Sequence, residues 1–200
     1  MAIDEALLQQ ATQPTLRIYR WSEPTVSFGY FGKLADAEHV SAGRPLIRRW
    51  TGGGIVEHGA DLTYTLVVPR EHSMLRFSAS ESYRMIHEAI ADLLSGEGLL
   101  AEISGAVSST PVSACFAQPV QFDIVSGERK LAGAAQRRTR WGMLHQGSIQ
   151  APGLRERLSE KFAIAFGERV RRHSMLPSIA EYALRLVAEK YGTTAWLRKY

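Results

Sequence analysis

Cysteine is almost absent. Cys115 stands alone in 200 residues, which excludes an internal disulfide and a thiolate metal site, and leaves either a small buried apolar group or a reactive thiol. No apolar run reaches the roughly 18 residues of a membrane span. The start MAIDEALLQQ carries acids where a secretory leader needs a basic region followed by an apolar one. A cytoplasmic protein with no membrane partner is expected. Internal repeats, low-complexity tracts and linkers rich in Pro, Gly or Ser are also missing, so nothing marks a boundary. Residues 1–200 therefore read as a single domain without a recognisable accessory domain.

What is present describes an ordinary globular chain, 45% hydrophobic and 22% charged, long enough to bury a real core. The net charge of +4 and a pI near 9.4 favour an acidic partner without naming it. Basic residues crowd into R-K-L-A-G-A-A-Q-R-R-T-R-W, where Arg129, Lys130, Arg137, Arg138 and Arg140 have only Glu128 beside them. Such a run is a solvated basic face or a docking surface for nucleic acid, an acidic protein or a phosphorylated metabolite.

The stretch R-R-W-T-G-G-G-I-V-E-H, residues 48 to 58, is unusual because three consecutive glycines carry a large conformational-entropy cost. A turn, or a loop whose backbone N–H groups reach a ligand, would need them. Periodicity predicts a short helix over Ala2–Ala11 and two strands, Leu16–Trp21 and Thr25–Phe31, paired as a hairpin through Pro24. Strands Pro45–Trp50 and Leu62–Val68 flank the glycines, so the loop joins strand to strand, unlike a P-loop or a Rossmann turn. Ser78 and Glu81 form a capping box before a helix with Tyr83, Ile86, Ile90, Leu93 and Leu94 on one face, ending near Gly96. Phe122–Val125 and Lys130–Arg138 read as a hairpin turned at S-G-E, Met143–Gln150 as a third strand, and Arg155–Phe166 and Ile179–Tyr191 as closing helices. The pattern predicts an α+β domain: a mixed, largely antiparallel sheet flanked by helices.

Several of these segments together resemble the biotin/lipoate A/B protein ligase superfamily, in its lipoate ligase and octanoyltransferase branch. They are M-A-I-D-E-A-L-L, L-R-I-Y-R-W-x-x-P-T-V-S-F-G-Y-F, R-R-W-T-G-G-G-I-V-E-H-x-x-x-L-T-Y-T, R-K-L-A-G-A-A-Q-R-R and E-K-Y-G-T-T-A-W. The resemblance spans nearly the whole chain and implies a class II synthetase-like catalytic domain. It also shows departures: members carry a short strand before the first helix, and many have His-Asp where this chain has His58-Gly59, with Asp61 as a possible substitute.

The resemblance implies transfer of an octanoyl or lipoyl group to a lysine on lipoyl domains of 2-oxoacid dehydrogenases or of the glycine-cleavage protein. Lys130 would supply positive charge at the acyl carbonyl or at an adenylate phosphate. Arg49, Thr51, Gly52, Gly53, Gly54, His58 and Gly133 would hold the acyl group or adenylate, and Arg137 and Arg138 the acidic protein partner. S-A-C-F-A-Q-P resembles the segment of one octanoyltransferase type in which Cys115 would be the thioester nucleophile, its thiolate favoured by Lys130. That route needs acyl carrier protein and no cofactor. The uninterrupted glycines instead resemble ligases that use ATP and Mg2+. Phe28, Tyr30 and Tyr64 are candidates for an acyl slot and equally for ordinary core aromatics. The resemblance calls for no resident metal and no nucleic acid.

Overall fold

A computed structural model describes residues 1–105, 119–151, 153, 158, 161–167 and 169–200. Its central strand pair shows how the rest is layered. Strand β5 (Leu62–Pro69) pairs antiparallel with β9 (Gly142–Ile149), Thr65 facing Gln146. Successive side chains of a strand point to opposite faces. Leu62, Tyr64, Leu66 and Val68 join the main core with Ile86, Ile90 and Leu94 of helix α3 (Ala79–Gly96), while Val67 packs with Leu8 of helix α1 (Ala2–Gln10) on the other face. With both faces covered, β9 is buried throughout.

The larger sheet is antiparallel in the order β1-β5-β9-β8-β7-β6. Its remaining members are β1 (Thr15–Tyr19), β8 (Arg129–Thr139), β7 (Ile124–Ser126) and β6 (Glu102–Ile103). A second sheet has the order β3-β2-β4, formed by β3 (Leu46–Arg48), β2 (Thr25–Phe28) and β4 (Val56–His58). In it β2 runs parallel to β3 and antiparallel to β4. Parallel neighbours need a crossover, which helix α2 (Leu34–Ser41) supplies. The mixed, largely antiparallel architecture is thus the one expected from sequence.

The capping box on α3 is present, with Ser78 Oγ accepting the Glu81 N–H and Glu81 accepting the Ser78 N–H. Helix α4 (Pro177–Leu186) continues into a π-helical turn, Val187–Tyr191, and α5 (Thr194–Leu197) follows. Helix α4 packs Ile179, Ala183 and Leu186 against Ala2 and Ala6 of α1.

One expected pairing is wrong. Strands β1 and β2 are not a hairpin: β1 pairs with β5 in the large sheet, and β2 lies between β3 and β4 in the small one. All of β2 is buried, so it takes a neighbour on each side, a long-range preference that local turn chemistry does not carry. Strand β4 and helix α2 were not anticipated. Of the helix expected over Arg155–Phe166, residues 155–157, 159 and 160 lie outside the described residues, as does Cys115, and the end of that segment is a 3-10 turn, Ile164–Phe166.

Candidate active site

Register sets Gly133 among polar neighbours on one face of the large sheet. Tyr19, Thr63, Ser148 and Gly133 form a row across four strands, and Arg17, Thr65, Gln146 and Ala135 form the next. This is the face covered by α1 and by the glycine loop, which crosses from β3 to β4 over the end of β2. The crossing demands close backbone approach: a Cβ on Gly29 would overlap the Gly53 carbonyl and come within 2.7 Å of the Gly52 carbonyl carbon.

The loop is anchored at its base. Thr51 Oγ1 donates to Gln146 Oε1 at 2.8 Å, and Gln146 Nε2 donates to Asp4 Oδ2 at 2.7 Å. Asp4, fully buried, also accepts Arg17 at 2.7 Å. Burial works to raise its carboxyl, but the chain's N-terminal ammonium and Arg17 outweigh that and hold it below the ordinary carboxylate value. Arg48, almost wholly buried, donates to the carbonyls of Tyr30 and Gly32 at 2.7 Å and of Leu197 at 2.9 Å, tying α5 to the loop.

Arg49 is turned inward. It donates to Ser27 Oγ at 2.7 Å and to the carbonyls of Gly52 and Gly54 at 3.1 and 2.7 Å. Sequence reasoning expected these forked donors to face a ligand; in the structure they grip the loop. His58 bridges Ser27 and Asp61, with Trp21 stacked on its ring at 4.4 Å. Asp61 Oδ2 lies 2.8 Å from His58 Nδ1. Burial works to raise its carboxyl, but His58, the Gly59 N–H and the Ser148 hydroxyl prevail and hold it down to about 2.

Lys130 is not a solvated strand lysine. It is 7% exposed and its ammonium lies 2.6 Å from Asp123 Oδ2, itself buried. Asp123 also accepts the Tyr83 hydroxyl at 3.1 Å and the Val120 N–H at 2.8 Å. Tyr83 comes from α3 and its hydroxyl accepts the N–H of Ala134, serving the edge of β8 beyond the reach of β7. Gly133 is small for a reason: an added Cβ would sit 2.5 Å from Lys130 Cε and 2.7 Å from Nζ. The lysine lies across the glycine, beside Ser148 in the next strand.

The other candidates disperse. Arg137 and Arg138 point to opposite faces of β8. Arg137 donates to the Trp50 carbonyl at 3.0 Å and lies against the rings of Trp50 and Tyr30, beside the loop. Arg138 donates to the Phe77 and Ser78 carbonyls and to Ser82 Oγ, fastening β8 to the start of α3. Phe28 belongs to the small-sheet core and Tyr64 to the main core, while Tyr30 lies among Arg137, Trp196 and Tyr200, so the three line no common slot. Asp123, Tyr83, Ser27, Ser148, Gln146 and Asp4 escaped sequence reasoning. The legible hint was an acid inside an apolar context, in A-I-D-E-A and Q-F-D-I.

A glycine-rich strand crossover over a sheet face that carries a buried lysine–aspartate pair defines an α+β domain of the lipoate-protein ligase type. The sequence matches the lipoyl protein ligase A/B catalytic domain over residues 1–166, and the chain belongs to that family. It is 40% identical to Octanoyltransferase LipM of Moorella thermoacetica over 74% of this chain and 59% of that protein. To the enzyme of the same name from Geobacillus kaustophilus it is 34% identical, over 100% of this chain and 87% of that one. The match thus spans about three-fifths of the length of the first relative. A crystal structure of lipoate-protein ligase A bound with ATP superposes with a TM-score of 0.79 at 25% identity, covering 98% of this chain and 92% of that one.

Proposed function

We propose that the protein attaches octanoyl groups to a lysine of lipoyl domains, taking them from acyl carrier protein through a thioester on Cys115. The observation that carries the reading is Lys130, held dry and paired to Asp123 across Gly133, on the same sheet face as the glycine loop. The relatives' name, octanoyltransferase, supports it.

The chemistry balances without a cofactor. The Cys115 thiolate attacks the octanoyl thioester, and the carrier leaves as its thiolate. A neutral lysine amine of the lipoyl domain then attacks the Cys115 thioester, forms the amide and returns the thiolate, and the proton that the amine loses ends on the released carrier thiolate. Each step builds negative charge on the carbonyl oxygen, where a preorganised ammonium in a low-dielectric site stabilises it most. Lys130 supplies that charge. The half-buried Arg137 beside the loop faces the acidic partner. Among the described residues no helix is long and apolar enough to cross a membrane, and we place the reaction in the cytoplasm.

A second reading has two observations in its favour: the loop keeps all three glycines, and the ATP-bound structure shares the fold. An ATP- and Mg2+-dependent lipoate ligase would use the loop for an adenylate, with Cys115 as packing.

The test is to incubate the protein with apo lipoyl domain and either octanoyl acyl carrier protein alone, or free octanoate and lipoate with ATP and Mg2+. An acyl adduct lost in Cys115→Ser, with the lipoyl domain modified without ATP, is expected. Modification that needs ATP and survives Cys115→Ser would establish the ligase reading instead.

A further inference from the structure

Ser27, His58 and Asp61 stand in the order of a hydrolase triad. His58 Nε2 lies 2.7 Å from Ser27 Oγ, and Nδ1 lies 2.8 Å from Asp61 Oδ2. Burial and a cation argue against a nucleophile. Ser27 has no exposed surface, and its Oγ already accepts an N–H of Arg49 at 2.7 Å. Arginine only donates, so Ser27 Oγ accepts from Arg49 while His58 faces Ser27 with Nε2 and Asp61 with Nδ1. Asp61 is fixed in turn by the hydroxyls of Thr63 and Ser148, both at 2.7 Å, and by the Gly59 N–H at 3.0 Å. Trp21 closes the arrangement by stacking on His58 and donating to Thr63 Oγ1 at 2.9 Å.

The opposite end of this chain of bonds is the glycine loop. Arg49 draws the Gly52 carbonyl toward itself. In a trans peptide plane the C=O and N–H point in opposite directions, so the Gly53 N–H is turned away from Arg49. Gly53 is exposed and has φ of +84°, a conformation that favours glycine.

We propose that Ser27, His58 and Asp61 are positioning residues that hold Arg49 and, through it, aim the Gly53 N–H outward as a hydrogen-bond donor for the acyl carbonyl oxygen. The proposal rests on the acyl-transfer reading above. It makes one strand, β9, responsible for both halves of the site: Ser148 starts the relay, and it sits opposite Gly133, over which Lys130 lies.

Ser27→Ala and Asp61→Asn test it, each removing one link. Backbone amide exchange is read without substrate, and octanoyl transfer to an apo lipoyl domain is read in the steady state. In both variants exchange across residues 49–55 rises while β8 and β9 keep wild-type protection. The rate constant kcat per folded molecule falls by about tenfold or more, with KM for the acyl donor nearly unchanged, because the amide acts on charge that develops only in the transition state. Wild-type loop exchange in either variant overturns the proposal, as does unchanged kcat per folded molecule. Labelling of Ser27 by a fluorophosphonate would overturn it by showing a nucleophile. If the wild-type protein transfers no octanoyl group, the acyl-transfer reading fails, while the exchange measurement still decides whether the relay holds the loop.

Discussion

Gly133→Ala separates the reaction from the fold more sharply than any change to Lys130 itself. The added Cβ would stand 2.7 Å from Nζ, where ordinary contact begins at 3.4 Å, so the ammonium must shift by roughly 0.7 Å from the place where it pairs with Asp123 at 2.6 Å. A misplacement near 1 Å lowers a rate by about 100-fold, or about 2.7 kcal/mol in the barrier. The stability loss should be smaller, about 1–2 kcal/mol, because a flexible stem can move and neither partner of the pair is deleted. Lys130→Ala is a blunter probe. It leaves Asp123 buried without its cation, which destabilises by about 3–5 kcal/mol and confuses lost chemistry with lost fold. The assay is intact-mass kinetics of octanoyl appearing on an apo lipoyl domain, beside thermal unfolding of each variant. A Gly133→Ala enzyme within about threefold of wild-type kcat would refute the assignment of Lys130 to the carbonyl.

Acid should weaken the fold through α3 and β9. Burial pushes His87 down from 6.5 to about 4 and His145 well below its ordinary value. Both are neutral when folded, so their contribution is complete above pH ~6.5 and fades as pH falls toward 4, by about 3 kcal/mol for His87 alone; urea midpoints flat across that window would contradict this. Arg138→Ala should lower stability by about 1–3 kcal/mol through its bonds to the start of α3, leaving transfer by the folded enzyme unchanged. Arg137→Glu should instead raise KM for the protein partner while acyl loading from a small-molecule octanoyl thioester stays normal, and an unchanged KM removes Arg137 from the docking surface. Tyr83→Phe removes a hydroxyl shared by Asp123 and Ala134 and should lower the unfolding free energy by about 1–2 kcal/mol, measured by denaturant titration.

The order of elements was legible where the information is local. The α3 capping box, the turn from β7 to β8 and the strand expected at Leu62–Val68 are written in neighbouring residues, and the structure reproduces them. The β1–β2 pairing failed because S-E-P supports a turn but says nothing of which strand lies alongside. The segment that carries Lys130 was legible, whereas its pairing with Asp123 was not, since Asp123 belongs to another strand end and Gly133 matters only once the side chain lies across it.

By itself, the sequence determined the α+β class, the position of the glycine loop between strands and the segment that carries Lys130, because periodicity, turns and caps act over a few residues. Tertiary structure alone decided that Arg49 reaches the carbonyls of Gly52 and Gly54, that Asp61 pairs with His58, and that Arg137 and Arg138 part to opposite faces of β8. The physical reason is the same in each case. A buried charged group takes whichever partners the folded chain brings within hydrogen-bonding distance, and those partners come from strands far apart in the sequence.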